Sequence, residues 1–342
     1  MKTDVLIIGK GISGLLLSLF LKQHDIDSII VNKSKPSNPI LAETIPPSTL
    51  EILSKFNLLK TFETNSSKTY GYESLWKGNY TDQFFFTDSH SSYNYGLKIN
   101  KTSLLKSLET QLKNRIINDA YLNKTETKNH IVHSTINSMN NEINIKSNFV
   151  IDATGRQRIL LKKLGVKTIH HDYSIAFICY LPIFGPRLKY GFFTESFSEG
   201  WGTVSDLNET TRIVTLYTSE KNADIQRFRS FTHWHELLSK TQLLKKCLPQ
   251  SGNFKIIGKQ ANSSIPEYLV GKNWLAIGDA ALAFSPISSH GISNAIYCAK
   301  KASEAIIDYS KNKGKSLKDY ELALKNIFNA YKKHKNTFFV EV

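Results

Sequence analysis

The chain has 342 residues, of which 41% are hydrophobic and 21% charged, and this composition excludes a disordered protein and favours a globular one with a sizeable core. The net charge of +15 comes from lysines spread along the chain, without blocks of like charge. We therefore expect no nucleic-acid partner, and a solvated surface that would also attract an acidic partner.

Three scattered cysteines predict neither a disulfide framework nor a metal site and fit a reducing cytoplasm. We expect no membrane span, because no apolar run is long enough for one. A signal peptide is not expected either, because the first residues already belong to a core strand. These patterns together predict a cytoplasmic protein.

The first 33 residues carry the pattern of a βαβ unit. Residues 4–8 and residues 28–31 are short apolar runs, each typical of one buried parallel strand. Between them stand Gly9, Gly11 and Gly14 in the spacing G-x-G-x-x-G, followed by a helical pattern of apolar residues. This order predicts a dinucleotide-binding unit, with an ordinary βαβ turn as the alternative.

Each position of this turn has a physical role in binding a dinucleotide. Gly9 permits the tight turn, Gly11 lets a pyrophosphate approach the backbone, and Gly14 lets the helix lie close to the strand. The unpaired N–H groups at the helix start, at Ile12 and Ser13, face the phosphates with the helix dipole in support.

The end of the second strand lacks the acidic residue that usually binds the ribose hydroxyls. Asn32 and Lys33 stand there instead. An amide oxygen still accepts a hydrogen bond from one hydroxyl but carries no charge, so we expect adenosine to bind less tightly at these two residues.

The next elements alternate between helices and sheets. A polar loop is expected at residues 34–38, and helices are expected at residues 48–59 and 100–112. Alternating aromatic residues predict short strands over residues 69–98, and hairpin strands are expected over residues 116–150.

The second half of the chain contains further β-branched and aromatic strands. The patterns predict a second sheet over residues 170–220, a helical region over residues 222–248 and a buried strand at residues 274–277. Two helices are expected after that, at residues 293–310 and 316–335.

Three motifs stand in order along the chain: GKGISG at residues 9–14, DATGR at residues 152–156, and the stretch from Gly278 to Ile296. Together they resemble the FAD-dependent enzymes built like p-hydroxybenzoate hydroxylase. The resemblance implies an α/β fold with a Rossmann-like parallel sheet that binds FAD, interleaved with a mixed or antiparallel β-sheet domain for the substrate. The segments of the FAD domain are then residues 1–70, 97–168 and 255–342, and those of the substrate domain are residues 71–96 and 169–254.

The resemblance also assigns FAD contacts. Asp279 would bond a ribityl hydroxyl, and Pro286 would lie beside the isoalloxazine ring. The backbone at Gly291 and Ile292 would face the N1/O2 edge, where a helix N-terminus stabilises the anion of a reduced flavin. The glycines of the second and third motifs, Gly155 and Gly278, complete the cofactor-binding set.

The stretch AETIPPSTLEIL, residues 42–53, is similar to the flavin-dependent halogenases and to their relatives that hydroxylate protein side chains to mature the quinone cofactors of amine oxidases and dehydrogenases. By spacing alone, Glu43 is a solvent-facing loop carboxylate, but this resemblance makes it a cofactor-binding candidate. Lys101 stands where these proteins usually have an arginine that contacts FAD. The position therefore keeps its positive charge but lacks the forked guanidinium group of arginine. His290 stands where Gln or Gly is usual.

The halogenase activity is the second choice. Halogenases carry a Trp-x-Trp-x-Ile-Pro stretch, whereas residues 201–206 lack the second Trp, the Ile and the Pro. Their catalytic lysine aligns one residue away from Lys68, and a slip of one residue in a strand sends a side chain to the opposite face. Lys68 is thus a surface lysine or a catalytic candidate, and His290 is a proton-transfer candidate or an outward loop residue.

The resemblance implies a monooxygenase that hydroxylates an aromatic or otherwise activated substrate, small or peptide- or carrier-bound, through a flavin C4a-hydroperoxide. Without a second G-x-G-x-x-G pattern, we expect transient docking of NAD(P)H or a separate flavin reductase as the electron source. Flavin-dependent reduction is another alternative within the same fold. A degenerate, non-catalytic partner protein is the alternative of another class, which Asn32, Lys101 and His290 favour.

Overall fold

The computed structural model describes residues 1–33, 41–85, 91–112, 114–139, 141–311 and 316–339. The polar loop expected at residues 34–38 lies outside these ranges. Within them the chain forms β-strands and α-helices that are numbered separately in chain order. The strands are β1 Val5–Ile8, β2 Ser28–Val31, β3 Glu43–Ile45, β4 Ser66–Thr69, β5 Gly71–Trp76, β6 Asn79–Phe84, β7 Gly96–Ile99, β8 Ile116–Ile117, β9 Ala120–Lys128, β10 Ile131–Ser138, β11 Glu142–Ser147, β12 Phe149–Asp152, β13 Thr168–His170, β14 Ser174–Pro182, β15 Phe192–Phe197, β16 Gly200–Asp206, β17 Thr211–Ser219, β18 Ile256–Gln260, β19 Ser264–Pro266, β20 Val270–Gly271 and β21 Trp274–Ala276. The helices are α1 Ile12–Lys22, α2 Pro47–Lys55, α3 Leu59–Thr64, α4 Lys101–Thr110, α5 Ile159–Lys163, α6 Phe231–Leu238, α7 Gly291–Ser310 and α8 Ser316–Phe339.

The N-terminal strand lies inside a six-stranded sheet with the order β20-β21-β12-β1-β2-β8. All its neighbouring pairs are parallel except β20 with β21. All four residues of β1 are buried because both faces are covered. Val5 and Ile7 belong to the core with α1 and α7, while Leu6 and Ile8 pack on the antiparallel sheet β9–β11.

A seven-stranded sheet has the order β18-β14-β17-β16-β15-β5-β6 and is antiparallel except for the pair β15 with β5. Its two faces have different neighbours. On one face, Phe177 and Val214 pack with α6, where the indole N–H of the buried Trp234 donates to the carbonyl of Phe177 at 3.2 Å. On the other, Trp201 and Tyr217 lie in a cluster with Ile287. This second face is therefore turned toward the segment that precedes α7.

The expected fold class is confirmed, but two predicted helices are shorter than expected. The helix predicted over residues 48–59 ends at Lys55, because Asn57 takes a left-handed conformation at φ +56° before the chain starts α3. In the region 222–248 the one α-helix is Phe231–Leu238. The buried carboxylate of Glu195 accepts from the N–H groups of residues 242–244, which holds the chain in a turn there.

Among the described residues, none of the helices combines the length and the apolar character that crossing a membrane requires.

Candidate functional site

The glycine turn joins β1 to α1, and two of its glycines are required by close contacts. Gly9 has φ +113°, and a Cβ there would lie 2.4 Å from the carbonyl oxygen of Ala153. A Cβ on Gly14 would lie 2.2 Å from the carbonyl oxygen of Gly9. A Cβ on Gly11 would meet no heavy atom within 4 Å. Gly9 and Gly14 thus serve the fold, whereas Gly11 borders open space.

That open space lies at the N-terminus of α1. Gly11 is the N-cap residue and offers no side-chain cap, and the first turn carries no acidic residue. The free N–H groups at the helix start, at Ile12 and Ser13, are therefore available to an anion. A Cβ on Gly278 would lie 2.7 Å from the hydroxyl oxygen of Ser13, so the third motif meets the first here.

Asn32 lies beside the same turn, directly after β2. Its side-chain oxygen accepts from the backbone N–H of Lys10 at 3.4 Å. Lys33 is exposed, and its ammonium lies 4.9 Å from the ring centre of Tyr121. The structure thus brings Asn32 to the glycine turn and holds Lys33 against a side chain of β9.

The second motif follows β12 and has a structural acid at its start. Both oxygens of the fully buried Asp152 accept hydrogen bonds, one from the backbone and hydroxyl of Thr154 and one from the N–H of Leu161. Burial raises the pKa of this carboxyl. Gly155 follows with φ +62°, and a Cβ there would approach the Cβ of Asp279 at 4.0 Å. Gly155 therefore turns the chain beside the third motif.

Two arginines next to this turn were missed by our sequence reasoning, which ended at Gly155. The Arg156 guanidinium donates to the carbonyls of Asn262 and Phe284, and its Nε lies 3.5 Å from a carboxylate oxygen of Asp279. Arg158 is only 2% exposed and donates to the carbonyl of Ala280 at 2.9 Å. The sequence signal that could have found Arg156 is its place in the motif DATGR. A charged side chain in the turn after a buried strand needs partners.

Asp279 sits in a recess that leaves 36% of its side chain exposed. Desolvation by the surrounding protein raises the pKa of this carboxyl, and the nearby Arg156 and Lys101 oppose the shift. Gly278 supplies the left-handed conformation, at φ +57°, that turns the chain into the recess. The carboxylate is thus open to a ligand while its backbone is fixed.

Glu43 enters the same site instead of facing solvent, as spacing alone had suggested. One of its oxygens accepts from the Lys101 ammonium at 2.7 Å. The other lies 3.9 Å from the position of a Cβ on Gly291. Burial opposes the charge on Lys101, but Glu43 outweighs it and raises the pKa of the lysine. The pair therefore lies beside the start of α7.

The start of α7 supplies the helix N-terminus that the third motif predicts. Gly291 is its first residue, and Ile292 is buried. Pro286 begins a short 3₁₀ turn just before it. His290 is the N-cap residue, and its side chain makes no capping hydrogen bond. The ring is exposed on one side and 6.2 Å from the ring of Phe284, and partial burial lowers the pKa of its imidazole.

Opposite this segment stands the second face of the seven-stranded sheet. The rings of Trp201 and Tyr217 stack at 3.8 Å with 9° between their planes, and both are buried. Burial raises the pKa of Tyr217 to about 12, and the charges of Glu43 and Arg156 also act on the phenol. An aromatic wall thus borders the charged residues around the start of α7.

Lys68 is not brought to this site. It lies on β4, where its neighbour Ser67 pairs with Lys98 of β7. Because side chains alternate along a strand, Lys68 and Lys98 point to opposite faces of that sheet. The Lys68 ammonium lies 3.9 Å from the ring centre of Tyr95.

Comparison with known proteins decides what this site binds. Residues 2–322 match the model of the family described as FAD binding domain. This chain belongs to that FAD-binding family. It is an FAD-dependent oxidoreductase, and its fold is shared with flavin-dependent halogenases and monooxygenases.

Three relatives show how widely the fold is shared. The chain is 23% identical over 353 residues to LodB of Marinomonas mediterranea, a protein assigned as an FAD-dependent oxidoreductase, and the match covers 98% of this chain and 95% of LodB. The structure of CmlS, a flavin-dependent halogenase, superposes with a TM-score of 0.82 at 20% identity, over 97% of this chain and 63% of CmlS. That of the p-nitrophenol 4-monooxygenase PnpA from Pseudomonas putida gives 0.80 at 16% identity, over 96% of this chain and 86% of PnpA. The chain therefore spans about two thirds of the CmlS length.

The residues present fit FAD. The open space at Gly11 faces a helix N-terminus, which suits a pyrophosphate. The recess around Asp279 lies near the start of α7 and the Glu43–Lys101 pair. The strands and turns that carry these groups end at the carboxyl edge of the six-stranded sheet, where ligands of such sheets bind.

Proposed function

We propose that this flavoprotein is a monooxygenase that inserts one oxygen atom of O₂ into an aromatic or otherwise activated group, on a small molecule or on a peptide- or carrier-bound substrate. The observation that carries the proposal is the buried stack of Trp201 on Tyr217, which borders the segment before α7. A flat apolar wall beside a flavin suits a ring substrate and excludes water. Residues 71–96 and 169–254, which carry all strands of the seven-stranded sheet except β18, are then the substrate domain.

Bound FAD, once reduced, supplies the activation of O₂. In this proposal the protein holds the cofactor at three places. Gly11 admits the pyrophosphate to the N–H groups at the start of α1. The Asp279 carboxylate accepts from a ribityl hydroxyl. The N–H groups of Gly291 and Ile292, with the dipole of the long α7, stabilise negative charge at the pyrimidine edge of the ring.

Proton transfer is assigned to His290 in this proposal. Its lowered pKa makes the imidazole neutral at pH 7, so one ring nitrogen carries a proton and the other has a free lone pair. Because its ring is partly exposed, it exchanges protons with solvent while Phe284 limits its movement. We assign it the role of carrying a proton between solvent and the site.

The electron source is either NAD(P)H that docks transiently or a separate flavin reductase, and one experiment separates the two. The purified protein is titrated with FAD, and NADPH is then added without oxygen while the visible flavin absorbance is followed. Bleaching by NADPH alone supports direct docking. Bleaching only after a flavin reductase is added supports the separate partner. Failure to bind FAD would overturn the proposal.

Halogenation is the second candidate, favoured by the fold that the chain shares with CmlS. The Lys68 ammonium lies over the ring of Tyr95, 3.9 Å from its centre, which supports the monooxygenase instead. The two activities differ in their products. The reduced protein is mixed with isotopically labelled O₂, bromide and a panel of aromatic acids and peptides. Incorporation of labelled oxygen supports our proposal, and incorporation of bromine contradicts it.

The cytoplasmic location expected from composition belongs to the same proposal. Cys179, Cys247 and Cys298 are all free and buried thiols, which is compatible with a reducing compartment.

A further inference from the structure

A cavity of about 610 Å³ lies between the sheet of β3, β4 and β7 and one end of the seven-stranded sheet. This volume falls within the range of small-molecule sites, which often lie between packed layers of a protein. Most of the cavity wall is apolar. Three lysines line it, Lys68, Lys98 and Lys189, together with the rings of Tyr70, Phe84 and Tyr190.

Lys98 is the residue that gives this cavity its chemistry. Its ammonium is half-buried, and burial lowers the pKa of the lysine. Within the part of the chain that the structure describes, it forms no ion pair with a carboxylate, and its nearest recorded acceptor is the carbonyl of Gly191 at 3.5 Å. Asp206 acts on this ammonium from a distance but is paired with Arg212, so the partly desolvated charge favours an anion in the cavity.

The backbone makes room for this ammonium. Gly191 has φ +72°, and a Cβ there would lie 3.0 Å from Lys98 Nζ. A side chain there would require the lysine to move by a few tenths of an ångström, so Gly191 leaves room for the ammonium at its observed place.

The second lysine in the wall is already neutralised. The Lys189 ammonium lies 2.5 Å from a carboxylate oxygen of Asp82, and the Tyr190 hydroxyl donates to the other oxygen at 2.7 Å. Lys98 and Lys68, whose ammonium rests on the ring of Tyr95, are in no ion pair among the described residues, so both are available to an anion.

We propose that this cavity binds the carboxylate of an organic acid, with the Lys98 ammonium as its counter-charge and the rings of Phe84 and Tyr190 against its apolar body. The aromatic rings beside these ammonium groups suit an anion with an apolar body, such as an aromatic carboxylate. The inference extends the proposed function. The interpretation of the cavity as a substrate site rests on that function. Lys98 lies on β7, the strand that pairs with β3, which carries Glu43.

The carboxylate has two sources, a free aromatic acid or an acidic side chain of a peptide substrate. Calorimetry on the FAD-loaded full-length protein tests both. The probes are 2-naphthoate with 2-naphthamide as its neutral counterpart, and acetyl-Phe-Glu-amide with acetyl-Phe-Gln-amide. Preferential binding of naphthoate identifies a free acid, and preferential binding of the Glu peptide identifies an acidic side chain. If neither acid binds more tightly than its neutral counterpart, the proposal is overturned.

Two variants assign the binding to Lys98. Loss of one charge-assisted hydrogen bond predicts that Lys98→Met weakens binding of the preferred acid roughly 10- to 100-fold and leaves its neutral counterpart unchanged. Lys106→Met is the control, because Lys106 is exposed on α4 outside the cavity wall. An unchanged acid affinity in Lys98→Met would contradict the assignment. A thermal midpoint and a flavin spectrum like those of the wild type show that the variant is folded.

These binding measurements are made with oxidised FAD and involve no catalytic turnover. A failure of flavin reduction or of oxygen transfer would therefore count against the proposed function and leave the carboxylate site intact. A failure of acid binding would remove the site and leave the proposed reaction untouched.

Discussion

Replacing Gly11 by alanine separates the role of the glycine turn in cofactor binding from its role in folding. Gly11 has φ −82° and ψ 178°, a conformation that alanine adopts freely, and its Cβ would meet no atom within 4 Å. We expect Gly11→Ala to leave the stability of the apoprotein unchanged or to raise it by about 0.4–1 kcal/mol, because alanine restricts the unfolded chain. The added methyl would lie in the open space that we assign to the pyrophosphate.

Gly14→Ala is the matched control, because its Cβ would lie 2.2 Å from the carbonyl oxygen of Gly9 and 3.3 Å from the Cβ of Ala153. Strain of this kind costs about 1–3 kcal/mol, so this variant should lose stability without any ligand. For Gly11→Ala we expect a loss of affinity for FAD instead of a loss of stability of the apoprotein. Losing one charge-assisted hydrogen bond of about 1.5–3 kcal/mol raises the dissociation constant roughly 10- to 150-fold.

Urea unfolding of the apoproteins gives the stabilities, and titration of each apoprotein with FAD gives the dissociation constants. The reasoning predicts a folded Gly11→Ala protein with weak FAD binding. If that variant binds FAD as tightly as the wild type, the pyrophosphate does not lie at this turn and our assignment of the site is wrong.

Substitutions at three further positions test the rest of the site. Lys101→Met should weaken FAD binding about 10-fold by leaving Glu43 unpaired, whereas Lys101→Arg should retain it, as FAD titration will show. Arg158→Met should lower the free energy of unfolding in urea by about 3 kcal/mol, because the carbonyls of Ala280 and Ser264 lose their buried donor. The folded pKa of His290 lies below its unfolded value near 6.5, so the folded state binds fewer protons and stability falls as pH drops below about 6.5. Thermal midpoints measured between about pH 5 and 8 should fall less toward low pH in His290→Gln than in the wild type. An equal fall in both proteins would contradict this contribution of His290.

The first βαβ unit could be predicted from the sequence because its determinants are local. Residues of β1 are buried on both faces, which makes the strand apolar throughout, and Gly14 is forced by the carbonyl of Gly9 within the unit. The strand at Ser28–Val31 was predicted at its observed bounds for the same reason. In contrast, the expected helix over residues 222–248 was mostly wrong, because Glu195, remote in sequence, holds part of that segment in a turn.

The ion pairs of the site could not be predicted in the same way. Glu43 comes from β3 and Lys101 from the start of α4, and only the pairing of β3 with β7 brings them together. Sequence spacing therefore suggested a solvent-facing Glu43. Arg156 likewise finds its carbonyl partners at residues 262 and 284, more than a hundred positions away. Long-range contacts of this kind leave little trace in the local sequence pattern.

The charges around the start of α7 explain how one site can serve both oxidised and reduced flavin. Two carboxylates, Glu43 and Asp279, face two cations, Lys101 and Arg156, so the side chains together carry no net charge when all four are ionised. In the proposed binding mode, the partial positive charge of the α7 N-terminus would then act on the flavin ring and would favour its anionic reduced form over the neutral oxidised form. Glu43 both pairs with Lys101 and lies beside Gly291, so its charge would act directly on this balance.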